Sequence, residues 1–201
     1  MDEDQAMPAA PASGAARWDS GLLAPVTAIN RQLLELLCEP VPSLRSPLTQ
    51  LCNGLTPDAR SRLARCPYVL LDAGFATPEH WSPSGRQPGA VREAGSPGGY
   101  FGSRQGIALV RRTLVFAWHL ARANPFSARI LLGMAGACAP CVAASRLEDL
   151  EELAELCPAW VVPRWEAHPQ VWQQLVHAAR DGQVSQLRQA QLRGLQLLAA
   201  T

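Results

Sequence analysis

Residues 145–158 read SRLEDLEELAELCP, and this stretch decides the fold class. Ser145 followed three residues later by Glu148 is the pattern of a helix-start capping box. Leu147, Leu150, Leu153, Ala154 and Leu156 then recur at helical spacing until Pro158 ends the run. Glu148, Asp149, Glu151, Glu152 and Glu155 fill the other positions, which makes them a solvated face opposite the leucines.

The same period appears on both sides of this helix. Upstream, Leu109, Val110, Leu114, Trp118 and Ala121 trace one face, until Asn124-Pro125 interrupts it, because a residue before proline avoids the helical region. A helix from Pro125 to Met134 and a short Ala-rich segment at 137–144 follow. Downstream, Trp160 to Trp165 reads as extended or irregular. Pro169 opens a helix carrying Val171, Trp172, Leu175, Val176 and Ala179, which Asp181-Gly182 closes. A last helix spans Gln183 to Ala199, Gln- and Arg-rich on one side. Nearer the N-terminus, Val26, Ile29, Leu33, Leu36 and Leu37 predict a helix over 25–38, stopped by Pro40 and Pro42. Pro47 to Cys52 predicts a short helix, and Thr56-Pro57-Asp58 is a start signal with an N-cap, a first-turn proline and an acid. Thr77-Pro78-Glu79 repeats that signal ahead of Trp81. Tyr68 to Leu71 is an apolar run whose period does not choose between strand and buried helix.

Two segments are of other material. Residues 1–22 are rich in Ala, Pro, Ser, Gly and acids, a composition that predicts a disordered tail. Residues 82–106 hold seven glycines, three prolines and four serines in 25 positions, which predicts a flexible loop. The expected architecture is an all-α, orthogonal multi-helix domain. It comprises the tail, an N-terminal helical part over 23–81, the loop, and a C-terminal helical part over 107–201, together one domain of 201 residues.

Composition excludes several chemistries. All 18 basic residues are arginines. Without lysine there is no Gly-Lys-Ser/Thr phosphate loop, no kinase-type strand lysine and no side-chain Schiff base. A net charge of +1 gives no whole-chain attraction to nucleic acid or to an anionic membrane. The acidic start Met1-Asp2-Glu3-Asp4 is not that of a secretory signal, and no apolar stretch is long enough to span a bilayer. A cytoplasmic protein with reduced thiols is expected.

Cys138-Ala139-Pro140-Cys141 has the spacing of a redox dithiol. It follows a helical pattern rather than a strand, so packed thiols and a thiol oxidoreductase stand as alternatives. Cys157, His168 and His177 do not complete a metal-ligand spacing with it. His80 and His119 carry no nucleophile elbow nearby, and no catalytic residue, cofactor or metal is assigned. The six tryptophans, Trp18, Trp81, Trp118, Trp160, Trp165 and Trp172, suit either a core built otherwise of Ala and Leu or an interface. The expected interface residues are Trp165, Trp172, Val184, Leu187, Leu195 and Leu198.

From Ser127 onward the chain resembles the flagellar transcriptional activator subunit FlhD. The likeness lies in Ser127-Ala128, Leu132-Gly133-Met134, Ala143-Ala144, Leu150, Leu153-Ala154-Glu155, Val161-Val162 through Trp165, and Gln173-Gln174-Leu175. It covers about 80 residues. It implies an all-helical, dimeric regulator acting with a second protein subunit on transcription of flagellar genes. The chain departs from that family in carrying about 100 further N-terminal residues, and in the five acids of the helix after Ser145. Phosphates repel such a helix, so DNA contact is expected only indirectly, from Arg164, Arg180, Arg188 and Arg193 or through a partner. The functional expectation is a non-enzymatic bacterial regulatory or adaptor subunit, a homodimer or the partner of a second subunit. The alternatives are an accessory protein of a secretion or flagellar machine, and a thiol oxidoreductase at Cys138 and Cys141.

Overall fold

The computed structural model describes residues 20–38, 46–81, 100–101, 103–156, 161–166 and 168–200. The tail expected over 1–22 lies outside the described residues up to residue 19, as do residues 82–99 of the expected loop, Trp18, Cys157 and Trp160. Among the described residues the protein is all-α in class, with a single small two-stranded ribbon.

The helices are α1 (Ser20–Cys38), α2 (Pro47–Cys52), α3 (Pro57–Ala64), α4 (Arg104–Ala123), α5 (Pro125–Leu132), α6 (Cys138–Ala144), α7 (Leu147–Leu156), α8 (Pro169–Asp181) and α9 (Val184–Ala199). A 3-10 turn covers Pro78–Trp81. Strands β1 (Leu71–Asp72) and β2 (Val162–Pro163) pair antiparallel, Leu71 opposite Pro163 and Asp72 opposite Val162.

Caps explain most boundaries. Thr56 accepts a hydrogen bond from the Ala59 amide at the start of α3, and Asn124 does the same from Ser127 for α5. Gly133 and Gly182 end α5 and α8 in the left-handed conformation, at φ 60° and 67°. Several boundaries differ from the sequence reading, among them the end of α5, which falls at Leu132 rather than Met134 because Gly133 turns left-handed. α1 starts at Ser20 with Pro25 inside it, because Val26, Ile29, Leu33 and Leu34 are buried and anchor the helix through tertiary packing. α4 starts at Arg104, capped by the Ser103 hydroxyl on the Gly106 amide, so the last residues of the expected loop are helical. α7 starts at Leu147 rather than directly after Ser145. Ser145 is the C-cap of α6, and its hydroxyl donates to the Cys141 carbonyl at 2.9 Å.

α4 is the central helix. It packs against α1, α5, α6 and α7, while α8 packs against α2, α3 and α9. One contiguous set of buried apolar side chains runs from Val26 to Leu198, so the parts on either side of the Gly-rich segment share a core. Among the described residues no helix is long and apolar enough to cross a membrane.

Candidate functional site

The most unusual chemistry in the molecule is a buried arginine. Arg164 follows β2 and is 6% exposed. Its guanidinium donates to the carbonyls of Val69 at 3.0 Å, Leu71 at 2.7 Å and Leu132 at 2.7 Å. Its backbone amide donates to the Leu70 carbonyl, and its own carbonyl accepts from the Trp172 indole. One residue therefore ties together β1, the end of α5 and α8. Burial pulls the guanidinium below its ordinary value, partly offset by Asp72 and Tyr68. Arginine stays charged through such a shift.

The segment that Arg164 grips is the Tyr68–Leu71 run whose state periodicity leaves open. It is neither helix nor regular strand: the backbone bends at Tyr68 and Leu70, joins β1 at Leu71, and is fully buried. Asn30 of α1, also fully buried, holds it from the other side: its amide donates to the Tyr68 carbonyl, and its oxygen accepts from the Leu70 amide, both at 2.9 Å. The Val69 amide donates to Leu131 at 2.8 Å. The backbone groups that a lone buried segment would strand from water are thus satisfied by one asparagine, one arginine and one helix end. Neither Asn30 nor the role of Arg164 is visible in the sequence, since both partners lie far away along the chain.

Close packing surrounds this knot. Trp165 adopts a left-handed φ of 56°, which costs a non-glycine residue energy, and its ring meets Tyr68 edge-on at 5.6 Å. A Cβ added at Gly194 of α9 would collide with the Tyr68 hydroxyl. One at Gly133 would come within 2.9 Å of the Arg164 guanidinium and 2.7 Å of Leu198.

The thiols fall into different settings. Cys138 is buried at the start of α6, and Cys141 is half-buried one turn later. Burial pushes the Cys138 thiol up to about 11, and the nearby Cys141, Glu79 and Asp72 push the same way. A cation, a metal or a helix N-terminus favours a thiolate; Cys138 opens α6, while burial and the nearby acids act in the opposite direction. Among the described residues no group of three His, Cys, Asp or Glu side chains is placed to hold a metal ion. Burial also raises Cys66 and Cys52, each to about 12.

The sequence-derived contact residues divide between core and surface. Trp172, Leu187 and Leu198 are buried in this chain's own core, and Leu195 and Trp165 pack against it. Of the six expected interface residues only Val184 is freely exposed, at 76%. The inner face of α9 is thus occupied by α8 and α5 of the same molecule. Among the four arginines expected to meet nucleic acid, Arg164 is withdrawn into the core, where no phosphate reaches it. Arg180 donates to the Leu51 and Asn53 carbonyls and so caps α2, while Arg193 reaches Gln174 and Arg188 is exposed. On α7 Leu150 and Leu153 face inward, while Leu147, Glu148, Glu151, Glu152 and Glu155 are exposed, with Glu155 bridging to Arg111 of α4. Trp81 stacks on Phe75 inside the core, and Trp118 is pinned by its indole to the Ser145 carbonyl with Arg122 over its ring.

Compared with models of known families, with curated proteins and with solved structures, the chain matches none. What the fold and the site define is a class: an all-α protein organised around a buried asparagine–arginine knot, with an acidic helix on its surface.

Proposed function

We propose that this protein is a regulatory or adaptor subunit that works by docking on other proteins, in a homodimer or with a second subunit. Transcription is the process suggested by the resemblance of residues 127 onward to FlhD. The observation that carries the reading is the outer surface of α9. Its inner face is used up by the molecule's own core, yet it still exposes Val184, Leu192 at 53% and Leu197 at 40%. Arg188 and Arg193 lie among them, and the helix carries no carboxylate. Apolar side chains beside arginines are the composition of a protein-docking surface, and arginine is enriched at binding hot spots. The complementary partner presents acids around an apolar patch. α7 of a second copy, with four exposed acids and a partly exposed Leu147, has that chemistry. The same acids keep α7 away from phosphates, so any DNA contact comes through the partner.

The test is the double variant Val184→Glu, Leu192→Glu. Both positions are exposed, so circular dichroism should be unchanged, whereas sedimentation and cross-linking should show loss of the self- or partner-complex. A wild type that is monomeric at tens of micromolar, and whose partners bind the variant equally well, removes this reading. A gel shift that needs no partner would point to direct DNA binding instead.

A further inference from the structure

We infer that Cys38 and Cys52 form a reversible disulfide site that staples the end of α1 to the end of α2. Each is the last residue of its helix, and the two helices pack together. The Cys38 thiol already donates a hydrogen bond to the backbone carbonyl of Cys52, at 3.3 Å. The two residues are therefore in direct contact although 14 positions apart.

Their environments differ in the way a two-step exchange requires. Cys38 is partly exposed, so a small oxidant reaches it, whereas Cys52 is fully buried behind it. Arg60 and Arg180 both act on Cys38 and favour its thiolate, against a larger opposing effect of burial. Arg180 is fixed in place by the Leu51 and Asn53 carbonyls on either side of Cys52. The positive charge therefore stays near the sulfurs during the reaction.

The chemistry is thiol–disulfide exchange with a low-molecular-weight disulfide such as oxidised glutathione. The Cys38 thiolate attacks one sulfur of the small disulfide. Its S–S bond breaks, one small thiol leaves, and a mixed disulfide remains on Cys38. The Cys52 thiolate then attacks the Cys38 sulfur, the bond to the second small thiol breaks, and that thiol leaves. Two protein thiols are oxidised and one small disulfide is reduced. The two protons lost from the protein end on the two released thiols. The product closes the chain between α1 and α2 and replaces the thiol–carbonyl hydrogen bond.

Because the chain has no lysine, trypsin cuts it only at arginine, and the test follows directly. Cys38 then lies alone in peptide 32–45 and Cys52 alone in peptide 46–60, whereas Cys138 and Cys141 share peptide 130–146. Full-length protein is equilibrated in glutathione buffers of rising oxidised fraction, trapped by alkylation and mapped without reduction. The expected result is a cross-linked pair of peptides 32–45 and 46–60, which disappears on returning to reduced glutathione and persists in a Cys138→Ser, Cys141→Ser variant. Cys38→Ser keeps a hydrogen-bond donor toward the Cys52 carbonyl and should abolish the cross-link without unfolding the protein. If that variant does not fold, the wild-type peptide map decides alone. The inference is overturned if both peptides remain separately alkylated, or separately glutathionylated, under the most oxidising buffer.

Discussion

Single residues carry much of this fold because polar groups inside it have few ways to be satisfied. Arg164 donates to three buried carbonyls, so Arg164→Ala leaves Val69, Leu71 and Leu132 unpaired at once. The expected loss is on the order of 3 kcal/mol or more, read as a lower urea midpoint. Arg164→Lys should recover only part of it, because an ammonium does not span three carbonyls as a planar fork does; full rescue by lysine would show that charge alone matters. Buried thiols give a pH signature. Cys52 and Cys66 are held near 12 in the folded protein, against an ordinary value of 9.0. Between those values the unfolded chain releases protons that the folded one keeps, so stability falls as pH rises through that window. The slope is up to about 1.4 kcal/mol per pH unit for each thiol. Urea titrations between pH 8 and about 11 should show the decline, and Cys66→Ala should flatten it; an unchanged slope in that variant would assign the effect to other groups.

At the scale of elements, what the sequence makes legible is what depends on near neighbours. The Thr56 start signal, the Asn124-Pro125 break and the Gly182 stop are where local chemistry puts them, whereas α5 ends at Leu132, short of the expected Met134, because Gly133 turns left-handed. Thr56→Ala should therefore cost about 1 kcal/mol through the lost hydrogen bond to the Ala59 amide. A thermal midpoint that does not move would mean that α3 is held by packing alone. The starts of α1 and α4 were less legible, because burial of Val26 and Gly106 extends helices past residues that local rules treat as breakers. The last helix shows the same limit for function. Its period locates an apolar face but does not say what covers it. In the folded molecule Leu187 and Leu198 are covered by the chain itself. Leu187→Glu is accordingly a stability variant, expected to lower the unfolding free energy by roughly 3 kcal/mol or more through lost burial and a buried charge, read as a lower urea midpoint. A folded Leu187→Glu protein that merely loses a partner would place that face at an interface instead.

For the molecule as a whole, the central question is what makes one core from two sequence-distant parts joined through the Gly-rich segment. The Tyr68–Asp72 segment is where they meet, and no local pattern marks it. Asn30 reaches it from 40 residues upstream, and Arg164 from more than 90 residues downstream. Three amides report on this junction. Val69 donates to Leu131, Leu70 to Asn30, and Arg164 to Leu70, each at 2.8 or 2.9 Å and each between elements far apart in sequence. Fraying of any one helix does not free them, because each partner is held by a different element. They exchange with solvent only when the two parts separate, which for a shared core is global unfolding. In native-state hydrogen exchange these three amides should therefore be among the slowest, with an opening free energy equal to the stability measured by urea. Amides in the outer turns of α9 should open at lower cost. In Asn30→Ala the Leu70 amide loses its acceptor, and all three should exchange faster together, by the factor that the global stability falls. If Val69 and Leu70 instead exchange rapidly while α4 stays protected, the two parts fold as separate units. The buried knot would then be a late docking contact rather than the centre of the fold.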